Sequence, residues 1–273
     1  MRVGHDELRR LYLDEGLSLS AIAARCGCSL TTVWRWLKAA EIPAREAGSH
    51  VRYARQDFSG NVREKAYLAG FRIGDLHVAR DSHGVVIKCT STRPEQIELF
   101  RLLFEQYGHV YTDEATMARR RRQTVGMSVR LNRSFDFLLL KEDRVPEWVL
   151  ERDDTFFAFF AGYMDAEGYI RTYLPRGYLT PQCQVEVRSY DAILLDELAS
   201  GLNARGIVCP PARLRVRAGY VNKHGVRSNR PLWGLGICRQ ASLLVLFASI
   251  EPYLRHGRRR RDMLEALTHL LSR

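Results

Sequence analysis

Two apolar stretches of this sequence carry glycine where a helix rarely tolerates it. They read "YLAGFRIGDLHV" at residues 67–78 and "FFAGYMDAEGYI" at residues 159–170. Each places two small residues four positions apart, on one face of a helix: Gly70 with Gly74, and Gly162 with Ala166. Helical glycine costs roughly 1 kcal/mol relative to alanine. Its presence therefore predicts that two helices, one from each stretch, pack with their backbones in contact.

The sequence that follows each stretch repeats the same order of predicted elements. Two strands, an amphipathic helix, two more strands and an apolar helix follow Gly70, and the same series follows Gly162. Aligning Gly108 with Gly206 also places Ser91 on Ser189. Internal duplication explains this match. We therefore expect an α+β fold in which an αββαββα unit is duplicated about a pseudo-two-fold axis.

Both glycine-bearing helices end in an acid, Asp75 in the first and Glu167 in the second. A helix C-terminus carries partial negative charge and disfavours a carboxylate there. Two carboxylates brought together also disfavour each other. A divalent cation between them reverses both penalties, and hard oxygen ligands with open positions suit Mg²⁺. Such a site generates hydroxide and stabilises the oxygens of a phosphodiester displacement.

A small helical module precedes the repeats. Residues 6–45 show three short amphipathic segments, with serine at the start of the second and third and a glycine turn between them. This pattern predicts a helix-turn-helix, whose third helix enters the major groove. Four side chains of that helix are free to face DNA: Thr31, Thr32, Arg35 and Lys38. The alternative is a three-helix interaction module that does not touch DNA, and Trp34 and Trp36 fit either packing or base reading.

These patterns divide the chain into four parts. They are a helix-turn-helix module (1–46), a basic linker (47–62), a first repeat (63–152) and a second repeat (153–273). The chain has 42 Lys and Arg against 31 Asp and Glu, a formal net charge of +11. A protein this basic usually binds nucleic acid, although a generally basic surface is the alternative.

Composition argues against several other classes. The six cysteines include no CxxC pair, and histidines do not cluster near them, so zinc is not expected. The N-terminal residues lack the apolar core of a signal peptide, and no run reaches transmembrane length. We expect a cytoplasmic protein with reduced thiols and no membrane partner.

The segments "LAGFRIGDL" and "FAGYMDAEG" resemble the two copies of the LAGLIDADG motif of homing endonucleases, and the resemblance extends over about residues 61–273. It implies that Asp75 and Glu167 are the catalytic, metal-binding acids and that backbone carbonyls of Gly74 and Ala166 help to hold Mg²⁺, with Mn²⁺ as a substitute. Two motifs in one chain imply a monomer that cuts both strands of a long, asymmetric DNA site. The first copy departs from the motif at Ile73, which replaces an acid, and at Leu76, which replaces a glycine.

The resemblance also implies that the sheets of the two repeats form a concave surface in the major groove. Alternate strand residues would face DNA in each repeat: His77, Arg80, Lys88 and Thr90 in the first, and Arg171, Tyr173, Glu186 and Arg188 in the second. Arg213, Arg215 and Arg217 would alternate along a further strand. We interpret these residues as phosphate and base contacts, with solvated charge as the alternative.

Other basic residues are further candidates. Lys88 is our candidate for charge stabilisation at the scissile phosphate, a role that a lysine commonly has in this family, with Arg130 and Arg239 as alternatives. The four arginines at 119–122 fit a backbone clamp at a hairpin tip. The four at 258–261 either terminate the last helical region or contact phosphate.

Three functions are compatible with these features. The first is a Mg²⁺-dependent homing endonuclease acting on double-stranded DNA. The second is a catalytically silent DNA-binding transcription regulator derived from the same fold. The third is a maturase whose partner is intron RNA. Intact acids in both copies favour the endonuclease, because a protein that no longer cuts DNA would not need to keep them.

Overall fold

The computed structural model describes residues 4–43, 53–113, 124–177 and 179–272. The chain divides into two compact units, Met1–Arg52 and Tyr53–Arg273, and each has a hydrophobic core of its own. Among the described residues, no helix has the length and apolar character needed to cross a bilayer.

The smaller unit consists of short helices with side-chain caps. They are α1 (His5–Arg9), which continues as a π-helix (Arg10–Asp14), α2 (Leu19–Cys26) and α3 (Leu30–Ala39). The Ser18 hydroxyl accepts a hydrogen bond from the Ala21 N–H at 3.1 Å, and Ser29 accepts one from Thr32 at 3.2 Å. Both caps satisfy N–H groups that a helix start leaves unpaired. Gly27 ends α2 in the left-handed region, with φ of +64°. The predicted helix-turn-helix order is confirmed.

The larger unit contains two copies of one series of elements, and the second copy ends with an additional helix. The first copy comprises α4 (Val62–Gly74), β1 (His77–Asp81), β2 (Gly84–Ser91), α5 (Pro94–Phe104), β3 (Val110–Asp113), β4 (Val125–Leu131), a 3₁₀ helix (Arg133–Leu138) and α6 (Glu147–Leu150). The second comprises α7 (Asp153–Glu167), β5 (Gly168–Tyr173), β6 (Gln182–Ser189), α8 (Ala192–Ala204), β7 (Arg213–Val216), β8 (Leu232–Ile237), α9 (Gln240–Ile250) and α10 (Gly257–Leu271). Both form four-stranded antiparallel sheets of equivalent strand order, β1-β2-β4-β3 and β5-β6-β8-β7. The predicted duplicated α+β fold is confirmed.

Helices α4 and α7 pack backbone to backbone at the glycines. A Cβ on Gly70 would lie 2.1 Å from the carbonyl oxygen of Phe159, and a Cβ on Gly162 would lie 2.0 Å from that of Tyr67. The two clashes are equivalent, since each involves the residue three positions before the opposite glycine. Glycine is needed here because the neighbouring atoms are backbone and cannot move aside.

Each sheet buries one face against helices and leaves the other face open. In β2 the buried apolar side chains are Val85, Ile87 and Cys89, and in β6 they are Cys183, Val185 and Val187. We call the opposite face of each sheet its open face. Lys88 pairs with His77, and Glu186 pairs with Tyr169. Lys88 and Glu186 therefore occupy equivalent positions on the two open faces.

Two sequence expectations about chain segments need correction. The apolar segment after β4 is a short 3₁₀ helix rather than an α-helix. Arg258 to Arg261 lie in the first turns of α10 and do not terminate a helix. A distant residue explains this start: the buried carboxylate of Asp165 accepts backbone N–H groups of Arg255 at 2.8 Å and His256 at 3.0 Å. Ile73 stands at the equivalent position of the first repeat, which has no counterpart of α10.

The side chain of His256 predicts a pH dependence of folding stability. It is buried, and burial, assisted by Arg259, lowers the pKa of His256 to about 4 from 6.5. Between these values the unfolded chain takes up a proton that the native state does not bind. Stability from this group is therefore complete above pH 6.5 and falls with pH by about 1.4 kcal/mol per unit. We expect His256→Phe to reduce the loss of unfolding free energy between pH 7 and pH 5, measured by urea denaturation.

The matched control is His224→Phe, in an exposed hairpin, which should lose stability on acidification as the wild type does. Acids that titrate in the same range contribute equally to the wild type and to both variants. The comparison therefore depends only on how steeply the unfolding free energy of each protein changes with pH. Equal slopes for wild type and His256→Phe would contradict the assignment.

Candidate active site and nucleic-acid interface

The two predicted metal-binding acids lie at matching ends of the central helix pair. Asp75 directly follows the last residue of α4, and Glu167 is the last residue of α7. The helix ends approach closely, because a Cβ on Gly74 would lie 2.4 Å from the Cβ of Ala166 and 3.5 Å from Oε1 of Glu167. The structure therefore brings together all four residues proposed as metal ligands.

The site carries an electrostatic penalty that the protein compensates only in part. Burial and, second, the charge of Glu167 raise the pKa of Asp75 to about 7. Burial also raises the pKa of Glu167, while Lys141 and Arg259 lower it. Within the described residues neither carboxylate forms an ion pair. Two partly desolvated acids without a paired cation favour binding of a proton or a metal ion.

The donor atoms fit a hard divalent cation. No group of three or more His, Cys, Asp or Glu side chains that could hold a metal occurs in the described part of the chain. The available donors are thus two carboxylates and the nearby backbone carbonyls, all of them oxygen. Such a set leaves positions for water and phosphate oxygens, which is how Mg²⁺ is usually bound.

Three residues around the acids were not predicted from the sequence. The Gln96 amide donates to Oδ2 of Asp75 at 2.6 Å and fixes that carboxylate. Arg93 lowers the pKa of Asp75, whereas Asp191 raises that of Glu167. Arg93 and Asp191 are equivalent, since each lies two positions after the aligned serines at the ends of β2 and β6. The position two residues after the aligned serines could have indicated both side chains from the sequence. Because it holds an arginine in one repeat and an aspartate in the other, the two halves of the site differ in charge.

A fourth such residue comes from the arginine run in α10. Arg259 is buried and donates from Nε to the carbonyl oxygen of Met164 at 3.4 Å. Its charge lowers the pKa of both Asp75 and Glu167. Its neighbours have protein partners: Arg258 pairs with Asp262, Arg260 with Glu251 and Arg261 with Glu95. The run at 258–261 is thus engaged within the protein. The run at 119–122 lies outside the described residues.

The first sheet presents three of the four predicted residues on its open face. His77, Lys88 and Thr90 are exposed there. Arg80 was wrongly assigned: it shares a face with Val78 and pairs with Val85, and it forms an ion pair with Asp136 at 2.9 Å. The reason is the pleat, since residues three positions apart on a strand face opposite sides.

The candidates for the basic catalytic residue differ in position. Lys88 pairs with His77, two residues after Asp75, so it lies at the end of the sheet near the acids. Arg130 pairs with Val86 further along the sheet and lies 3.6 Å from the carboxylate of Asp81. Arg239 is exposed at the start of α9. Of the three candidates, Lys88 is the one that is exposed on the first sheet's open face near Asp75, and it has no ion pair among the described residues.

The second sheet places all four predicted residues of β5 and β6 on its open face. Arg171 donates to Gln184 at 2.7 Å and lies over the ring of Tyr173 at 4.4 Å. Arg188 and Glu186 form an ion pair at 3.2 Å. Glu186 is only 1% exposed even though it lies on the open face, which the sequence did not predict.

The predicted row of three arginines is not continuous. Arg213 and Arg215 lie in β7, but the strand ends at Val216 and a bulge falls between Leu214 and Val216. Arg217 therefore lies outside the strand, and simple alternation does not apply to it. Arg213 pairs with Gly234, and Arg215 contacts Glu186 on the open face at 2.8 Å.

The third helix of the smaller unit exposes most of its predicted residues. Thr31, Arg35 and Lys38 are exposed, whereas the hydroxyl of Thr32 lies 2.9 Å from that of Ser29 and is engaged in the helix cap. The two tryptophans differ in environment. Trp36 packs against the core of the smaller unit. Trp34 is 49% exposed, with the Lys38 ammonium 5.5 Å from its ring centre.

Comparison with known proteins gives a match to a family model and matches to solved structures. Residues 10–47 match a helix-turn-helix family model described as a homeodomain-like domain. Solved structures similar to the chain are homing endonucleases. The chain resembles the LAGLIDADG homing endonucleases. No curated protein sequence is significantly similar to it.

Three of these structures illustrate the similarity. I-WcaI bound to its DNA recognition sequence is 14% identical, with 74% of this chain and 86% of that chain covered and a TM-score of 0.47. I-DmoI in complex with DNA and Mn is 17% identical, with 71% and 98% covered and a TM-score of 0.43. The LAGLIDADG homing endonuclease I-GzeII in complex with its DNA target is 11% identical, with 74% and 88% covered and a TM-score of 0.44.

Proposed function

We propose that this chain is a site-specific DNA endonuclease of the LAGLIDADG type that uses a divalent metal ion, Mg²⁺ or Mn²⁺, to cut both strands of a long, asymmetric site as a monomer. The observation that carries the proposal is the convergence of Asp75 and Glu167 at the ends of two helices whose glycines allow backbone contact. No folding benefit explains two neighbouring, partly desolvated carboxylates without a paired cation. A metal-binding function does.

The residues of the site can be given distinct roles. Asp75, Glu167 and the carbonyls of Gly74 and Ala166 would hold the metal, which when bound activates water and stabilises the oxygens of a phosphodiester displacement. Gln96 fixes the Asp75 carboxylate through its 2.6 Å hydrogen bond. Lys88, exposed on the open face beside the acids, would stabilise negative charge on the scissile phosphate. Arg259 limits the repulsion between the acids from the buried side.

The remaining candidates would bind DNA outside the reaction centre. The open faces carry exposed cations with hydrogen-bonding groups between them, as major-groove readers do. The exposed side of α3, with Thr31, Arg35 and Lys38, would bind a separate segment. A chain with two DNA-binding units would recognise a site longer than the two sheets cover. This requirement fits an enzyme that must find one site in a genome.

The helix-turn-helix unit also favours a second candidate, a transcription regulator that binds DNA without cutting it. Both candidates predict specific DNA binding, and only the endonuclease needs the acid pair. A maturase would instead retain an intron RNA.

The test is selection of bound and cleaved sequences from a randomised duplex library, with the full-length chain in Mg²⁺ and in Ca²⁺. The endonuclease proposal predicts enrichment of one long asymmetric sequence and cleavage of it on both strands in Mg²⁺. Enrichment without cleavage in Mg²⁺ or Mn²⁺ would favour the regulator. Failure to enrich any duplex, with retention of a structured RNA, would favour the maturase.

A further inference from the structure

A buried glutamate lies on the open face of the second sheet, at the end near Glu167. Glu186 is 1% exposed, although its face of the sheet is otherwise polar and accessible. A buried carboxylate is costly unless it is paired and hydrogen-bonded. Two arginines, Arg188 and Arg215, supply the pairing. A polar residue on an open sheet face has no structural need for this burial, and its consequence is the way in which the two arginines are held.

The guanidinium of Arg188 is largely occupied by protein groups. Its Nε and Nη2 donate to the two carboxylate oxygens of Glu186, both at 3.2 Å. Nη2 also donates to the Tyr169 hydroxyl at 2.9 Å, and the guanidinium lies 5.3 Å from that ring's centre. The N–H groups with which Arg188 could donate to a further pair of acceptor atoms are therefore already used within the protein.

Arg215 is held in a different way. Its Nε lies 2.8 Å from Oε1 of Glu186, and its side chain is 37% exposed. Within the described residues its two terminal nitrogens donate no hydrogen bond, and its ion-pair partner is Glu186. One end of the guanidinium is thus fixed, and the fork formed by the two terminal amino groups is free.

The strand beside Arg215 is shaped to admit it. A Cβ on Gly234 would lie 2.6 Å from Nε of Arg215 and 2.9 Å from Oε1 of Glu186. The bulge in β7 interrupts the regular alternation next to this arginine. The missing side chain at Gly234 and the bulge in β7 together allow the Arg215 side chain to lie against Glu186.

We infer that Arg215 is a guanine-reading residue of the second repeat and that Glu186 is the residue that positions it. A free arginine fork matches the O6 and N7 acceptors of guanine in the major groove. Fixing Nε on a carboxylate reduces the freedom that the side chain loses on binding. The inference rests on the proposed function, because it concerns the DNA which that function requires.

The first repeat lacks an arginine held by a buried glutamate at the equivalent position. Lys88 occupies the position equivalent to Glu186, because both pair with the residue two positions after the metal-binding acid. Thr90 occupies the position equivalent to Arg188. Guanine preference from a carboxylate-fixed arginine is therefore expected in only one half of the target site, which makes the site asymmetric at that position.

The experiment uses the full-length chain and a randomised duplex library in Ca²⁺, followed by affinity measurements on the selected sequence. Wild type should select an invariant guanine in one half-site. Replacing that guanine by 7-deazaguanine, which lacks the N7 acceptor, should weaken binding by about tenfold. Arg215→Lys keeps the charge but loses the fork. It should lose both the guanine preference and the sensitivity to 7-deazaguanine while binding unselected DNA as wild type does.

Two further variants test the positioning role. Glu186→Gln keeps the shape of the side chain and should reduce the guanine preference several-fold. Arg101→Lys, at an exposed arginine of α5, is the matched arginine control and should keep the same selected guanine. Selection of the same guanine by Arg215→Lys, with the same 7-deazaguanine penalty, would overturn the inference. So would a wild-type consensus without an invariant guanine.

The outcomes separate this inference from the endonuclease proposal. Guanine-dependent binding without cleavage in Mg²⁺ would support the role of Arg215 and contradict the endonuclease. Cleavage at a site whose selection ignores Arg215 would do the reverse. Absence of specific duplex binding by wild type would overturn both.

Discussion

Asp75→Asn and Glu167→Gln should each reduce DNA cleavage by at least about a hundredfold and leave DNA binding nearly unchanged. Each change preserves the size of the side chain and removes one of the two carboxylates at the helix ends. The metal ion would lose a charged ligand, and the water and phosphate oxygens it organises would lose their positions. Cleavage is measured as single-turnover rates on the selected duplex in Mg²⁺, and binding as the Kd for the same duplex in Ca²⁺.

The same variants should be more stable than the wild type in metal-free buffer above pH 7. The pKa of Asp75 is raised to about 7, against 3.8 in the unfolded chain, by burial and by Glu167. The native state therefore holds this proton more tightly, and stability is lost as pH rises from about 4 to 7. Asn removes that loss, and we expect a gain of about 1 kcal/mol in unfolding free energy at pH 8.

A gain in stability with a loss of activity distinguishes a functional acid from a structural one. Glu251→Gln serves as the control: this acid pairs with Arg260 at 3.3 Å at the end of α9 and touches no part of the site. It should cleave DNA as wild type does and be equally stable or slightly less so. Destabilisation by Asp75→Asn with full cleavage would contradict the site assignment.

The sequence predicted those features of the fold that depend on local patterns. The spacing of the glycines predicts the contact of α4 and α7, because glycine within a helix is destabilising and close backbone contact with another helix is the usual reason for it. The repeat order predicts the duplicated sheets because strand and helix periodicities are local properties. The acids at 75 and 167 follow from the same motif, since helix position alone brings them to one end of the pair.

Features that depend on contacts distant in the sequence were missed or misplaced. The start of α10 requires the Asp165 carboxylate, 91 positions before His256, and no local signal connects them. Arg217 lies outside β7, which ends at Val216 just after a bulge that the alternation of the arginines does not indicate. Arg80 failed for a simpler reason, because its spacing from His77 contradicts the two-residue period of a strand. The burial of Glu186 follows from Arg215, which β7 brings in from elsewhere in the chain.

Gly162→Val should prevent stable folding of the larger unit, and Gly70→Val should do the same. The first added carbon would lie 2.0 Å from the carbonyl oxygen of Tyr67 in one case and 2.1 Å from that of Phe159 in the other. Relief requires separation of α4 and α7 along their length, which exposes side chains that both helices bury. We expect a loss of at least about 3 kcal/mol in unfolding free energy, measured by urea denaturation, or loss of soluble protein.

Gly257→Ala is the matched control, because this glycine also lies in a helix. Its added Cβ would meet only the Arg261 side chain, at 3.8 Å, and alanine favours the helix. We expect it to be neutral or more stable by up to about 1 kcal/mol. Gly162→Ala should already be clearly destabilising, since its Cβ suffices for the clash, and Val should add to the loss. Full stability of Gly162→Ala would mean that the helices do not approach as described, and Asp75 and Glu167 would then no longer be held side by side.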